Sequence, residues 1–235
     1  MGENRWNQAQ KYEKNWWENQ KRLITLDFYK NFAVELNDTL NGILTINKDT
    51  FILEIGSGAA GIITFIESDN KYAIDPLEYY YSSVDEFIKD RDQRVNYLTA
   101  MGENLPYKNE MFDLIIIDNV LDHCSEPVKV IEEMKRALKP GGIIYFRQNT
   151  YHFWGVFVRF IMEKIAFDKG HPFTFSKNQL EKLFVKFHFK TLRYSHNGYF
   201  KTWKKEFLAF KAKEFAKALL FATRDKTLYI LKKSE

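Results

Sequence analysis

Apolar and polar residues recur along this chain with two periods, near 3.6 and near 2, and the changes between them mark its elements. Residues 3–22 are mostly polar, with Trp6, Tyr12, Trp16 and Trp17 at the edges of helical turns. Residues 25–39 predict a second helix, with Leu26, Phe28, Phe32, Leu36 and Leu40 along one side and Asn41-Gly42 as its stop. Short β-rich runs follow at Phe51–Ile55, at Tyr72–Asp75 closed by Pro76, and at Val95–Thr99. Phe112–Ile117, apolar except for Asp113, has the pattern of a strand buried on both faces of a parallel sheet, and Ile143–Phe146 predicts a fifth strand. Helical stretches between the strands run to about Ser68 and to about Lys89. Val128–Leu138 is amphipathic, opened by Pro127 and stopped by Pro140-Gly141-Gly142. Strands alternating with helices at this rhythm predict a doubly wound, mostly parallel α/β sheet with helices on both faces and right-handed crossovers.

Beyond residue 150 the rhythm changes. Phe153–Phe167 is a strongly apolar helix candidate, yet Arg159, Glu163 and Lys164 interrupt it and it falls short of the roughly 20 apolar residues of a membrane span. A pocket wall and a face between two copies of the chain are both open readings for it. Ser176 is placed to cap a helix over Lys177–Phe187. His188–His196 and Thr227–Leu231 alternate as strands, with a Lys- and Phe-rich helix from about Trp203 to Ala222 between them. No repeat or linker divides the chain. The expectation is one domain over 1–235: N-terminal helices 1–45 as a lid, a core 50–150, and an appended helical and antiparallel segment 151–235.

Composition narrows the compartment and the partners. Among 235 residues there is one cysteine, Cys124, which excludes an internal disulfide and a thiolate set for structural zinc. No metal is expected. The N-terminus interleaves Gln, Asn, Glu and Lys with Trp, unlike a signal peptide, so the expected address is the reducing cytoplasm. The net charge of +4 is unevenly placed: residues 201–235 hold ten Lys/Arg against four acids, a net of +6, which leaves the first 200 residues at −2. A slightly acidic body is a poor electrostatic footprint for a nucleic-acid backbone, so no nucleic-acid partner is expected.

The clearest chemical signal is Gly56-Ser57-Gly58-Ala59-Ala60-Gly61 at the end of a strand and the start of a helix. Glycines there let a backbone approach a ligand closely. Asp75 ends the next strand, where a carboxylate can accept both hydroxyls of a ribose. Strand, glycine turn, helix, strand and acid describe a site for an adenosine-containing ligand. A nicotinamide dinucleotide would set pyrophosphate beside Glu54, two residues before Gly56, and be repelled. S-adenosylmethionine, with an ammonium and a sulfonium, suits that carboxylate better.

Taken together, Phe51–Gly58, Tyr72–Asp75, Gly102–Tyr107, Met111–Asp118 and Leu138–Tyr145 resemble the successive motifs of class I S-adenosylmethionine-dependent methyltransferases, most of all their type 11 small-molecule branch. The resemblance covers about residues 50–146. It implies a Rossmann-like seven-stranded sheet, S-adenosyl-L-methionine as donor and S-adenosyl-L-homocysteine as product. It further implies that Glu54, Gly56, Ser57 and Gly58 hold the methionine part, that Asp75 takes the ribose, and that Pro76 or Leu77 packs on adenine. Gly102 and Glu103 lie where the family recognises adenine, and Asp118 lines the mouth. At Met101 the chain departs from the family, which often has an acid there. His171-Pro172-Phe173-Thr174-Phe175-Ser176 also resembles a downstream segment of that branch.

Methyl transfer asks mainly for proximity and orientation, and for a base only when the acceptor is a hydroxyl or a protonated amine. Asn119, Asp122 and His123 follow the fourth strand at the edge where ligands bind. His123 is the candidate base because imidazole titrates near neutrality; packing on the cofactor is the plainer role. Cys124 reads as a small buried residue. Arg147, Gln148, Asn149, Tyr151 and His152 follow the fifth strand and are candidate acceptor contacts, with Arg147 suited to a phosphate or carboxylate. His171 is a candidate pocket residue or a structural turn. Tyr12 with Trp16 and Trp17 is a candidate lid over the cofactor. The expected function is methyl transfer to an oxygen or nitrogen of a small metabolite; the resemblance suggests a sugar or another building block of a surface glycan or secondary metabolite. A nucleic-acid or membrane-associated acceptor, a nicotinamide-dependent oxidoreductase and a catalytically silent binding module are the alternatives, and a homodimer is compatible with the pattern.

Overall fold

A computed structural model describes residues 3–20, 27–164, 172–209 and 211–234 of the chain. The expected ends of the first two helices and of the apolar helix after residue 153, as well as His171, fall at 21–26 and 165–171 and lie outside the described residues.

Seven strands form one sheet: β1 Phe51–Ile55, β2 Asn70–Asp75, β3 Val95–Thr99, β4 Phe112–Asp118, β5 Leu138–Tyr151, β6 Phe189–His196 and β7 Arg224–Lys233. Their order is β3-β2-β1-β4-β5-β7-β6. The first five pair in parallel, while β7 runs antiparallel between β5 and β6. The helices are α1 Glu3–Gln20, α2 Asp27–Leu40, α3 Glu78–Tyr81, α4 Asp85–Ile88, α5 Pro127–Ala137, α6 Phe153–Lys164, α7 Lys177–Lys186, α8 Tyr199–Phe207 and α9 Ala212–Leu219. This is the mostly parallel α/β sheet that the alternating pattern predicts, in the Rossmann-like seven-stranded form that the resemblance implies.

Because both faces of the sheet are covered, its central strands are apolar on both sides. On one face Ile52, Leu114, Ile116 and Tyr145 meet Ala33, Leu36 and Leu40 of α2 and Trp17 of α1. On the other, Leu53, Ile115, Ile117 and Phe146 meet Val130, Ile131 and Met134 of α5 and Leu180 and Phe184 of α7. Ser176 caps α7 in a reciprocal box with Gln179, as its position predicts.

Four local expectations are corrected. In place of a helix reaching Ser68 there is a single 3-10 turn, Ile62–Phe65, because Gly61 has φ 76° and Ile66 returns to extended backbone. The stretch to Lys89 holds two one-turn helices, α3 and α4, joined by Ser82 and Ser83. The long basic helix is two helices, α8 and α9. Finally, β5 extends to Tyr151 because β7 pairs with it all the way to Arg224, so Arg147–Tyr151 belong to a strand rather than a loop.

Candidate active site

The carboxyl ends of the parallel strands open into a cavity of about 370 Å³, with α1 and α2 on its far side. Its floor is the loop after β1. Gly56 and Gly58 have φ of 72° and 59°, in the left-handed region that favours glycine. Space demands glycine as well. A Cβ on Gly56 would stand 2.4 Å from Val120 Cγ2, and one on Gly58 would stand 2.8 Å from Tyr29 Oη and 2.9 Å from Trp17. The N-terminal helices therefore rest directly on the loop, and the Tyr29 hydroxyl donates to the Ser57 carbonyl at 3.1 Å.

Two acids hold this loop in shape. Glu54, buried in β1, accepts the backbone N–H groups of Ile62 at 3.0 Å and Ile63 at 2.8 Å. Asp75 at the end of β2 accepts the N–H of Gly58 at 3.0 Å and that of Leu77 at 2.8 Å. Burial dominates their titration: it pushes Glu54 up to about 8 and Asp75 up to about 7 against the opposing pull of those N–H donors. Asp118 ends β4 and is neutralised differently. The Arg147 guanidinium of β5 grips it with two nitrogens, one at 2.7 Å, and reaches Glu35 of α2 at 2.9 Å. Arg147 also lies 3.8 Å above the Phe32 ring, so it ties α2 to the sheet edge.

The remaining wall comes from the β4 and β5 ends. Asn119 holds φ 56° and gives its side-chain oxygen to the Asn149 N–H at 3.1 Å. Gln148 accepts the Leu121 N–H at 3.2 Å, whereas its buried Nε2 and the buried Oδ1 of Asn149 have no hydrogen-bond partner among the described residues. His123 lines the cavity with Nε2 at 3.9 Å from Asp122 Oδ1. That oxygen is buried and has no hydrogen-bond partner among the described residues. Cys124 lines the cavity too, its thiol pushed well up by burial, which suits packing rather than nucleophilic work. Arg224 and Lys226 of β7 complete the rim. The Lys226 ammonium is lowered by burial and by the neighbouring Arg147 and Arg224.

Of the residues singled out by sequence, Glu54, Gly56, Ser57, Gly58, Asp75, Pro76, Gly102, Glu103, Asp118, Asn119, His123 and Arg147 share this cavity. Tyr12, Met101, Asp122 and His152 stand outside its lining. Tyr12 is 46% exposed and Trp16 43%, because the stripe of α1 that faces the cavity is Trp6, Gln10, Glu13 and Trp17, a quarter-turn away. His152 lies beyond the end of β5 and packs its ring near Phe153 and Tyr199. Asp122 sits behind His123. Glu103 lines the wall, but one oxygen accepts from Ser125 N and Oγ and from Glu126 N, which bridges it to the start of α5. Arg147 is spent on Asp118 and Glu35 rather than left for an acceptor. Sequence reasoning had Trp17 of that stripe as a lid residue but missed the cavity roles of Trp6, Gln10 and Glu13, of Tyr29 and Phe32, and of the Arg224–Lys226 pair. Heptad-like spacing of 6, 10, 13 and 17 was the available signal for the first.

The family described as a methyltransferase domain matches residues 53–146, from β1 to the middle of β5. Over these residues, less than half of its length, the chain is similar to a methyltransferase domain. An uncharacterized protein of Methanocaldococcus jannaschii is 37% identical to the chain over 100 residues, 42% of this chain and 49% of that one. The malonyl-[acyl-carrier protein] O-methyltransferase of a Marinomonas species is 26% identical over 125 residues, 51% of this chain and 46% of that one. The chain thus spans about half the length of the curated relatives it matches. Among solved structures, the geranyl diphosphate C-methyltransferase of Streptomyces coelicolor has a TM-score of 0.65 at 12% identity. The match covers 86% of this chain and 75% of that one, which was solved with Mg2+, geranyl-S-thiolodiphosphate and S-adenosyl-L-homocysteine. The matched residues supply the floor and the two acids of the cavity. The α1–α2 cover and the β7 rim lie outside the matched residues.

Proposed function

We propose that the protein transfers the methyl group of S-adenosylmethionine to an oxygen or nitrogen of a small acceptor that carries an anionic group. The observation that carries this reading is the charge layout of one cavity: Glu54 and Asp75 on the glycine-loop side, Asp118 paired with Arg147 between them and the rim, and Arg224 and Lys226 on the β7 side. The acid side complements a ligand with ammonium and sulfonium charges. The cationic rim complements a phosphate or carboxylate on the acceptor.

The residues present fit that donor. Each oxygen of Asp75 accepts one backbone N–H, which leaves the carboxylate further lone pairs for two ribose hydroxyls. Pro76 and Leu77 offer an apolar wall for adenine, and the backbone near Gly102 offers its polar edge. Glu54 acts through the loop it shapes and through its negative charge. Met101 plays no side-chain part, and Glu103 contributes through the α5 start that it caps. A pyrophosphate fits poorly, because the first N–H groups of the turn after the loop, Ile62 and Ile63, are already taken by Glu54. This argues against the nicotinamide reading.

When bound, S-adenosylmethionine supplies a methyl carbon activated by a sulfonium leaving group, so the step is an in-line displacement. The protein's work is to align the acceptor and keep water away. Trp17 and Tyr29 close over the loop, and Glu35 through Arg147 holds that cover. Gln148 and Asn149 line the cavity with amide groups, a residue type that can both donate to and accept from a hydroxyl or amine. His123, with the Asp122 carboxylate behind it, takes the acceptor's proton when there is one to take.

Calorimetry with S-adenosylmethionine and with NAD tests the first half of the proposal; folded protein that binds neither ends it. A screen for S-adenosylhomocysteine release across nucleotide sugars, phosphorylated metabolites, phenols and amines tests the second. Anionic acceptors are expected to lead it.

A further inference from the structure

The appended helices gather at the edge of the sheet where the cavity opens. Helix α6 begins as β5 ends at Tyr151, and α9 ends just before β7 begins at Arg224, the register partner of Tyr151. The two sides touch. A Cβ on Gly155 of α6 would stand 3.3 Å from the Phe221 carbonyl, and the Tyr199 hydroxyl of α8 donates to that same carbonyl at 3.2 Å. Trp203 stacks on Phe207 at 5.3 Å and on Phe221 at 6.2 Å. The rings of Phe153, His152, Tyr199 and Phe200 follow one another at 5.9, 6.0 and 5.5 Å and join the two sides.

Its outer side is apolar to a degree unusual for a face open to water. Phe153 is 73% exposed and Phe200 80%, and Phe157, Phe160, Leu219 and Phe221 are each about half exposed. Around them stand Lys201, Lys204, Lys205 and Lys211, all exposed. The acids among the described residues nearby do not answer them outwardly. Glu206 is buried and accepts from Thr223 Oγ1 at 2.7 Å, Asp225 holds His196 and the Gly198 N–H, and Glu214 holds Lys217. Large hydrocarbon side chains ringed by unanswered ammonium groups match one environment closely: lipid tails below a layer of anionic headgroups. A second copy of the chain would bring the same positive charge to the face. A nucleic acid would satisfy the lysines and offer stacking to the rings, but would leave Ile161, Leu208, Leu219 and Leu220 against polar surface. No helix among the described residues is long and apolar enough to cross a membrane, so the match is to its surface.

We propose that the α6–α8–α9 face docks the protein on an anionic lipid surface, with Phe153, Phe200 and their neighbours among the headgroups and the lysines on headgroup phosphates. Arg224 and Lys226 then hold the cavity rim at the interface. On the methyl-transfer reading, an amphiphilic acceptor can enter with its polar end while its apolar part stays in lipid. Docking itself does not depend on that reading.

The test is flotation of the full chain with vesicles of phosphatidylcholine alone and of phosphatidylcholine with about 30% phosphatidylglycerol, a fraction chosen to give a strongly negative surface. The expected result is flotation with the anionic vesicles only, with a blue shift of tryptophan emission. The combined charge reversal Lys201→Glu, Lys204→Glu and Lys205→Glu is expected to weaken it by about tenfold or more. Phe153→Ser with Phe200→Ser is expected to abolish the blue shift while circular dichroism stays unchanged. No flotation with anionic vesicles overturns the proposal, as does flotation that neither variant reduces. A dimer in light scattering that the Phe→Ser pair dissolves would assign the face to a second copy, and preferential capture of a single-stranded oligonucleotide would assign it to nucleic acid. Either result overturns the lipid reading. S-adenosylmethionine binding, measured on the same samples by calorimetry, reports separately on methyl transfer.

Discussion

The carboxylate of Glu54 accepts the N–H of Ile63 at 2.8 Å across the glycine loop, and with Ile62 at 3.0 Å it satisfies both donors that open the following turn. A family acid expected to meet the ligand is thus also the brace of the ligand's floor. Glu54→Ala should strand two buried N–H groups and cost about 2–4 kcal/mol of stability. Glu54→Gln keeps one acceptor and should cost about half as much. Thermal unfolding of the two variants reads the difference. A Glu54→Ala protein as stable as the parent would show that the brace is idle.

The two buried acids also set a pH dependence. Folding lifts Asp75 to about 7 and Glu54 to about 8, so between the ordinary carboxylate range and those values the folded chain holds protons that the unfolded chain has released. Their contribution to stability is therefore full at pH 4 and declines as pH rises toward 8. A cationic ligand reverses the preference by favouring the ionised forms. Between pH 8 and pH 6 the ionised fraction of Asp75 alone falls about tenfold, and S-adenosylmethionine affinity should fall with it. Calorimetry in buffers of different ionisation enthalpy should show proton release on binding.

Much of this site was legible in the sequence, and the reasons divide cleanly. The parallel sheet showed in Phe112–Ile117, because a strand buried on both faces cannot hide its composition. The glycine loop and Asp75 showed because their roles depend on local spacing. The rim of Arg224 and Lys226 did not, since β7 brings it beside β5 by antiparallel pairing from far along the chain. Nor did the choice of Trp17 over Trp16: α1 is polar nearly all round, and only the packing of Trp17 against Tyr81 and Phe87 fixes its rotation. The missing helix after Gly61 follows from the backbone at Ile66, which returns to an extended conformation after one turn.

The cover should loosen selectively. Glu35 is half exposed, and its pair with Arg147 is worth under about 1 kcal/mol to folding. Glu35→Gln should therefore leave thermal stability nearly unchanged while releasing α2 from the β5 edge. Stopped-flow tryptophan fluorescence is expected to show faster dissociation of S-adenosylhomocysteine by several-fold. Arg147→Ala is a different perturbation, because it leaves Asp118 uncompensated at a mostly buried site, and a loss of about 3 kcal/mol or more is expected in unfolding experiments.

His123 and Asp122 offer the sharpest separation of chemistry from packing. Their side chains lie 3.9 Å apart, with the imidazole at the cavity and the carboxylate buried behind it. If His123 takes a proton from the acceptor, His123→Ala should lower kcat by about a hundredfold or more with little change in donor affinity. Asp122→Asn should act through the imidazole's orientation, lowering kcat by less than His123→Ala does and leaving donor affinity unchanged. A packing role predicts the opposite split: weakened S-adenosylmethionine binding, an unchanged pH profile, and rescue of His123→Ala by His123→Phe. Measuring kcat, KM and donor affinity across pH for the three variants decides between proton transfer and packing.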